Sequence, residues 1–188
     1  IYDYFEHSNQ IYMNYWPAVS MRKTGEPEIW WTKYYFNYDS INRRTTFGKV
    51  YHRLLLLVQT VLRINKLDKY GLKEDYIYAG QEWVDIPRDA LEFTITYYEQ
   101  HPNLEKIFST SFCSDEMWLQ TILCNSEFKP RIEKNIHHYI EMTEKHGSRP
   151  AILDEEDYSK IISGNYWWGR KVERPISDKL INLLDEKS

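Results

Sequence analysis

Between residues 48 and 64 the side chains of Val50, Leu54, Leu57, Val58 and Val61 recur at the three-to-four-residue interval of one helical face. This is the clearest helix in the chain, and strand-like runs lie on both sides of it. Upstream, residues 11–16 (IYMNYW) and 29–38 (IWWTKYYFNY) are rich in aromatic and β-branched side chains and read as strands, with a loop at 17–27 between them. Residues 1–6 read as the end of a helix. Downstream, a charged connection at 66–74 leads to strand-like runs at 76–79 and 83–86, separated by Gly80. Helices are expected at 88–100, where Pro87 suits a first helical position, and at 103–108, 114–124, 154–163 and 176–184. A strand is expected at 136–142 and a short aromatic run at 166–168. Strands and helices mixed in this order argue an α/β fold.

A chain of 188 residues can bury a real core as one domain. A formal net charge of -4 carries no footprint of general nucleic-acid binding. Sixteen tyrosines and seven tryptophans can fill a core or line a sugar cleft, where flat rings pack on pyranose faces, and abundance alone does not choose. The two cysteines, Cys113 and Cys124, fall on one expected helix and are poorly placed to pair, which favours a reducing compartment. The longest apolar run, 54–58, is too short to span a membrane, and no signal-peptide pattern is present.

Two clusters of charge could carry chemistry. In 112–126 (FCSDEMWLQTILCNS) the adjacent acids Asp115 and Glu116 open a helix. On the bland view Ser114 is the N-cap and the acids complement the helix dipole. Against it, a continuous helix would align Asp115 with Leu119 and Ile122, and Glu116 with Leu119 and Leu123, so both acids lean toward the apolar side. A carboxylate at such a rim, ionised yet poorly solvated, suits proton abstraction from a hydroxyl. The second cluster is Arg170–Lys171 in 166–173 (YWWGRKVE), joined by Arg149 in 147–157 (GSRPAILDEED). These are solvated charges or an anion site, where arginine offers a planar fork and lysine a compact charge. No metal is expected: His137 and His138 are adjacent, the cysteines lack ligand spacing, and 154–157 (DEED) reads as a helix start.

Three segments stand in a telling order: 78–95 (YAGQEWVDIPRDALEFTI), 114–126 (SDEMWLQTILCNS) and 149–173 (RPAILDEEDYSKIISGNYWWGRKVE). Together they resemble the core-2/I-branching β-1,6-N-acetylglucosaminyltransferase family, which includes peptide O-xylosyltransferases and bacterial homologues. The first resembles the family's Gly-Ser-x-Trp strand and following helix start. The second resembles its Pro-Asp-Glu helix, and the third its Asp-containing helix with the Phe-Ala-Arg-Lys-Phe-Asp/Glu end motif. The resemblance covers about half of the chain. Ser114 stands for the usual Pro, Gln81 for Ser, and Trp168, Gly169 and Val172 for Phe, Ala and Phe; these departures bear on donor and acceptor more than on reaction class.

The resemblance implies an inverting, metal-independent glycosyltransferase with a GT-A-like mixed sheet flanked by helices. Glu116 matches the catalytic base, with Asp115 in support. Lys171, Arg170 and Arg149 match the cations that bind the donor diphosphate, and Glu82 and Trp83 border the acceptor. The partners implied are a UDP-sugar, N-acetylglucosamine being the favoured sugar, and a glycan acceptor, with no cofactor; peripheral membrane association is left open. The family's N-terminal βαβ portion, which binds uridine, is not visible, so the chain is expected to be the C-terminal part of such an enzyme. It divides as one domain into an acceptor-side region (1–74), a catalytic region (75–173) and a C-terminal helix (174–188). The expected setting is the cytoplasm at the inner face of a bacterial membrane, in surface-polysaccharide synthesis, or the Golgi lumen in a eukaryote. Glu28 with Trp30 and Trp31 is a second candidate acceptor patch, or strand core. Two other classes stand beside the transferase: a glycan-binding or scaffold protein derived from one, and a glycoside hydrolase. The hydrolase is disfavoured because adjacent acids on one helix do not flank a bond at the required separation.

Overall fold

Strand β1 (Ile11–Pro17) lies at the centre of a three-stranded sheet in a computed structural model that describes residues 8–20, 27–36, 38, 40–164 and 166–186. It pairs antiparallel with β2 (Tyr78–Asp85) and parallel with β3 (Ile132–Glu133). The ladder to β2 shifts register between Met13 and Tyr15: Asn14 alone stands opposite Gln81, Glu82 and Trp83, a bulge in β2. Gly80 sits where the strands meet that bulge. A Cβ there would fall 2.2 Å from the Asn14 carbonyl oxygen and 2.8 Å from Cγ of Gln120, so the position admits only glycine. The two strand-like runs expected at 76–79 and 83–86 are thus joined in one strand around a close approach, while Tyr76 closes a 3₁₀ turn, Glu74–Tyr76, ahead of it.

The described residues form two compact units, one over Asn9–Lys134 and one over Asn135–Ser188 together with Ser8. The first unit holds the three-stranded sheet with helices α1 (Ile29–Lys33), α2 (Thr46–Val61), α3 (Lys66–Lys69), α4 (Arg88–Gln100), α5 (Pro102–Phe108) and α6 (Trp118–Cys124). Helix α6 packs on β2 and α4 packs on α6. Its core joins Ile11, Met13, Ile77, Ile107, Met117, Ile122 and Leu123, all buried. The second unit holds a two-stranded parallel sheet of β4 (His138–Ile140) and β5 (Trp168–Arg170), helix α7 (Tyr158–Ser163) and helix α8 (Asp178–Asp185), around Tyr139, Leu153 and Leu180. The architecture is a mixed α/β one, built from small sheets.

Three expectations need correction. Residues 29–33 are helical, not extended. Ile29 and Thr32, three residues apart, are both buried, and the Ile29 amide donates to the Ala18 carbonyl, so tertiary anchoring overrides aromatic and β-branched propensity. Helix α2 forms as periodicity predicts, yet its apolar stripe, which ordinarily faces a core, faces outward: Val50, Leu54, Leu57, Val58 and Val61 are each at least half exposed. What fixes the rotation is polar. The Gln59 amide donates to the Tyr35 carbonyl at 3.0 Å and accepts from the Tyr35 amide at 2.8 Å; His52, also buried, meets the Ile41 carbonyl at 3.0 Å. The third correction, to the helix expected at 114–124, concerns the site. The helix end expected at 1–6 lies outside the described residues.

Candidate functional site

The approach to Asp115 and Glu116 is set by Phe112. Its ring packs edge-on against Trp31 and Tyr38, with centroids at 5.1 and 4.7 Å, and the Arg43 guanidinium lies 4.4 Å above it. Its amide donates to the Trp31 carbonyl at 3.1 Å. The backbone then turns through the left-handed region at Cys113 (φ 48°) into a single 3₁₀ turn, Ser114–Glu116. Helix α6 starts only after Met117 (φ -134°), so the acids do not share its phase. The helical alignment of Asp115 and Glu116 with Leu119 therefore does not hold. Neither does the cap: the N-cap positions are Cys113 for the 3₁₀ turn and Met117 for α6, neither with a capping side-chain hydrogen bond, and Ser114 lies inside the turn. The acids separate in environment instead, Asp115 being exposed and Glu116 half-buried.

A cleft of about 320 Å³ opens beside this turn, lined by Tyr98, Phe108, Ser109, Ser114, Asp115 and Trp118. Its walls are aromatic and hydroxyl-bearing, with one carboxylate, a composition that can hold a hydroxylated ligand. Strand β2, which carries the exposed Glu82 and half-buried Trp83, packs against the Ser114–Glu116 turn. The fold thus sets the strand that carries Glu82 and Trp83 beside the turn that carries Asp115 and Glu116. Glu28 is not available to a ligand: it is buried, and the Trp16 indole donates to its carboxylate. The second acceptor patch is accordingly withdrawn, since Trp31 also packs inward on Phe112.

One residue that sequence reasoning missed braces the cleft wall. Lys66, placed in a charged connection, is fully buried, and its ammonium donates to the Ile107 carbonyl at 2.9 Å and to the hydroxyls of Thr110 and Ser111 at 3.0 Å each. Three acceptors match its three N–H donors, but burial without a counter-charge pushes the amine down to about 7. Lys66 so fixes residues 107–111, two of which flank the cleft residues Phe108 and Ser109. Nothing in the local sequence marks it as buried. Cys124, in α6, is buried too, and burial pushes its thiol up to about 12, leaving it no nucleophile at neutral pH.

In the second unit, the segment 151–153 hydrogen-bonds to the chain at Lys171: the Leu153 amide donates to the Lys171 carbonyl at 2.8 Å and the Lys171 amide to the Ala151 carbonyl at 3.3 Å. This brings the stretch that follows Arg149 alongside Arg170 and Lys171. Arg149 and Arg170 are exposed, and the Lys171 ammonium holds Glu173 at 3.0 Å. Asp154 caps the turn that precedes α7, as the acidic run suggests, in a reciprocal box with Asp157. Burial raises its carboxyl, but hydrogen bonds from Lys145 at 2.5 Å and His146 at 2.7 Å outweigh that and draw it down to about 2. A separate cavity of about 270 Å³ is walled by Tyr166, Trp167, Trp168, Val172, Leu180 and Leu184, among others.

Compared with protein-family models, with curated proteins and with solved structures, the chain finds no match in any of the three.

Proposed function

We propose that the protein is an inverting, metal-independent glycosyltransferase of GT-A type, moving a sugar from a UDP-sugar to a hydroxyl of a glycan acceptor. What supports this is the ordered set of three family-like segments, together with the packing of the Glu82–Trp83 strand against the Asp115–Glu116 turn beside a cleft. Glu116 takes the proton of the acceptor hydroxyl. The oxygen then attacks the anomeric carbon from the face opposite the leaving group, and the bond from that carbon to the diphosphate oxygen breaks, UDP leaving with the electron pair. Arg149, Arg170 and Lys171 neutralise the departing charge, work that a metal-independent route assigns to cations. Lys171 is held by Glu173 in a half-exposed pair, and such pairs are weak enough to exchange for a diphosphate. N-acetylglucosamine or a close relative is the favoured sugar.

The test is UDP release from a panel of UDP-sugars with glycan acceptors, on wild type, Glu116→Gln and Lys171→Ala. Loss of turnover in both variants supports the assignment; a Glu116→Gln protein with most of its activity removes the base. A second function, glycan binding without transfer, is favoured by the aromatic cavity at Tyr166–Trp168, whose Trp168 ring is half exposed. Calorimetric glycan binding that Trp168→Ala abolishes, with no UDP release from any donor, would select it.

A further inference from the structure

Helix α2 wears its apolar side chains on the outside. Phe47, Val50, Leu54, Leu57, Val58 and Val61 form one continuous stripe, from half exposed to 71% exposed, and Leu62 extends it. The stripe is no accident of loose docking. The two hydrogen bonds between Gln59 and the Tyr35 backbone and the His52 contact fix the helix rotation. So does Gly48, where a Cβ would fall 2.0 Å from the Asn42 carbonyl oxygen.

The charge carried by the helix and its immediate flanks has one sign. Residues 40–67 contain no Asp or Glu but six basic residues, of which Lys66 is buried and Arg43, Arg44, Lys49, Arg53 and Arg63 are exposed. This stands against a chain whose net charge is -4. Lys49 and Arg53, four residues apart, run along one border of the stripe, while Arg43 and Arg44 precede the helix and Arg63 follows it. We propose that α2 is an interfacial helix that lies flat on an anionic lipid bilayer, its apolar stripe at the boundary of headgroups and acyl chains and its cations on lipid phosphates.

Three observations favour a bilayer over a protein partner. Along the stripe only Tyr51, half-buried and stacked on Phe47, offers a side-chain hydrogen-bonding group, whereas a protein interface carries about one hydrogen bond per 100–200 Å². A second copy would set cationic borders against each other, with no acid in the segment to pair them. Sixteen residues extend about 24 Å, short of the ~30 Å hydrocarbon core, and among the described residues no helix is long and apolar enough to cross a membrane, so α2 lies in the plane. The inference does not depend on the transferase proposal.

The test is sedimentation of the full chain with vesicles of phosphatidylcholine alone or with about 30% phosphatidylserine, at rising salt. Retention is expected on the anionic vesicles, about tenfold weaker without the anionic lipid, and falling with salt. Leu54→Glu/Leu57→Glu and Lys49→Glu/Arg53→Glu should each lower retention about tenfold, with unchanged circular dichroism and melting because all four side chains are exposed. Absent retention, or retention indifferent to Leu54→Glu/Leu57→Glu, overturns the proposal. A wild-type dimer in sedimentation velocity that those substitutions convert to monomer, without vesicle retention, assigns the stripe to a second copy and overturns it equally.

Discussion

Helices α2 and α6 invert what their sequences advertise. Helix α2 is the longest helix among the described residues and turns its apolar period to solvent; α6 is less than half as long, and six of its seven residues, Leu119 to Cys124, are buried. Periodicity reports that a helix has two faces. Which face meets the core is decided by what the neighbouring segments offer. For α2 they offer backbone groups that Gln59 and His52 can bond. For α6 they offer strand β2, whose Tyr78 amide donates to Thr121 Oγ1 at 3.1 Å and whose Gln81 carbonyl accepts from the Gln120 amide at 2.8 Å.

The contrast breaks most visibly if a buried α6 side chain proves dispensable. Leu123→Ala, at a fully buried position, should lower unfolding free energy in urea by about 2–5 kcal/mol. A loss below about 1 kcal/mol would mean that α6 is not the core helix it looks. Next in size is Gly80→Ala, where the new Cβ meets a backbone oxygen that cannot yield without moving the strand; a loss of about 2 kcal/mol or more is expected, read in the same titration. At the small end, Leu54→Ala in the α2 stripe should change stability by no more than about 0.5 kcal/mol.

Lys66 sharpens the same contrast through pH. The folded protein holds its amine near 7, while the unfolded chain protonates it up to its ordinary 10.5. Between those values the unfolded state binds more protons, so stability rises with pH, by at most about 1.4 kcal/mol per pH unit from this group. Below about pH 7 both states carry the charge and the burial penalty is present in full. The stability difference between wild type and Lys66→Met, measured by urea unfolding from pH 6 to 9, should therefore shift in favour of wild type as pH rises. A flat difference would show the amine charged throughout.

Local signals were legible where local physics decides. Strand β1 follows from its β-branched and aromatic run, α4 matches its expected span of 88–100, and the Asp154 cap follows from an acidic run before a helix. The misreadings share a cause in tertiary contact. Residues 29–33 carry strand-forming side chains but are drawn into a helix by the burial of Ile29 and Thr32. The 114–124 segment looks like one helix, yet Met117 interrupts it, so the alignment of Asp115 and Glu116 could not be inferred from spacing. Lys66 was invisible because the groups that bury it, at 107–111, lie some forty residues away in sequence. Of the candidate site, the environment was not legible: the exposed acid on the cleft is Asp115, while Glu116 is half-buried beside it.

That separation of two adjacent acids gives the most direct test of the proposed chemistry. With a UDP-sugar that supports turnover, UDP release by Glu116→Gln should fall by about 10²–10⁴, the range a general base contributes, with donor binding by calorimetry unchanged. Asp115→Asn should keep activity within about tenfold of wild type. The reverse order, a dead Asp115→Asn beside an active Glu116→Gln, would contradict the account and move the base to the acid that lines the cleft.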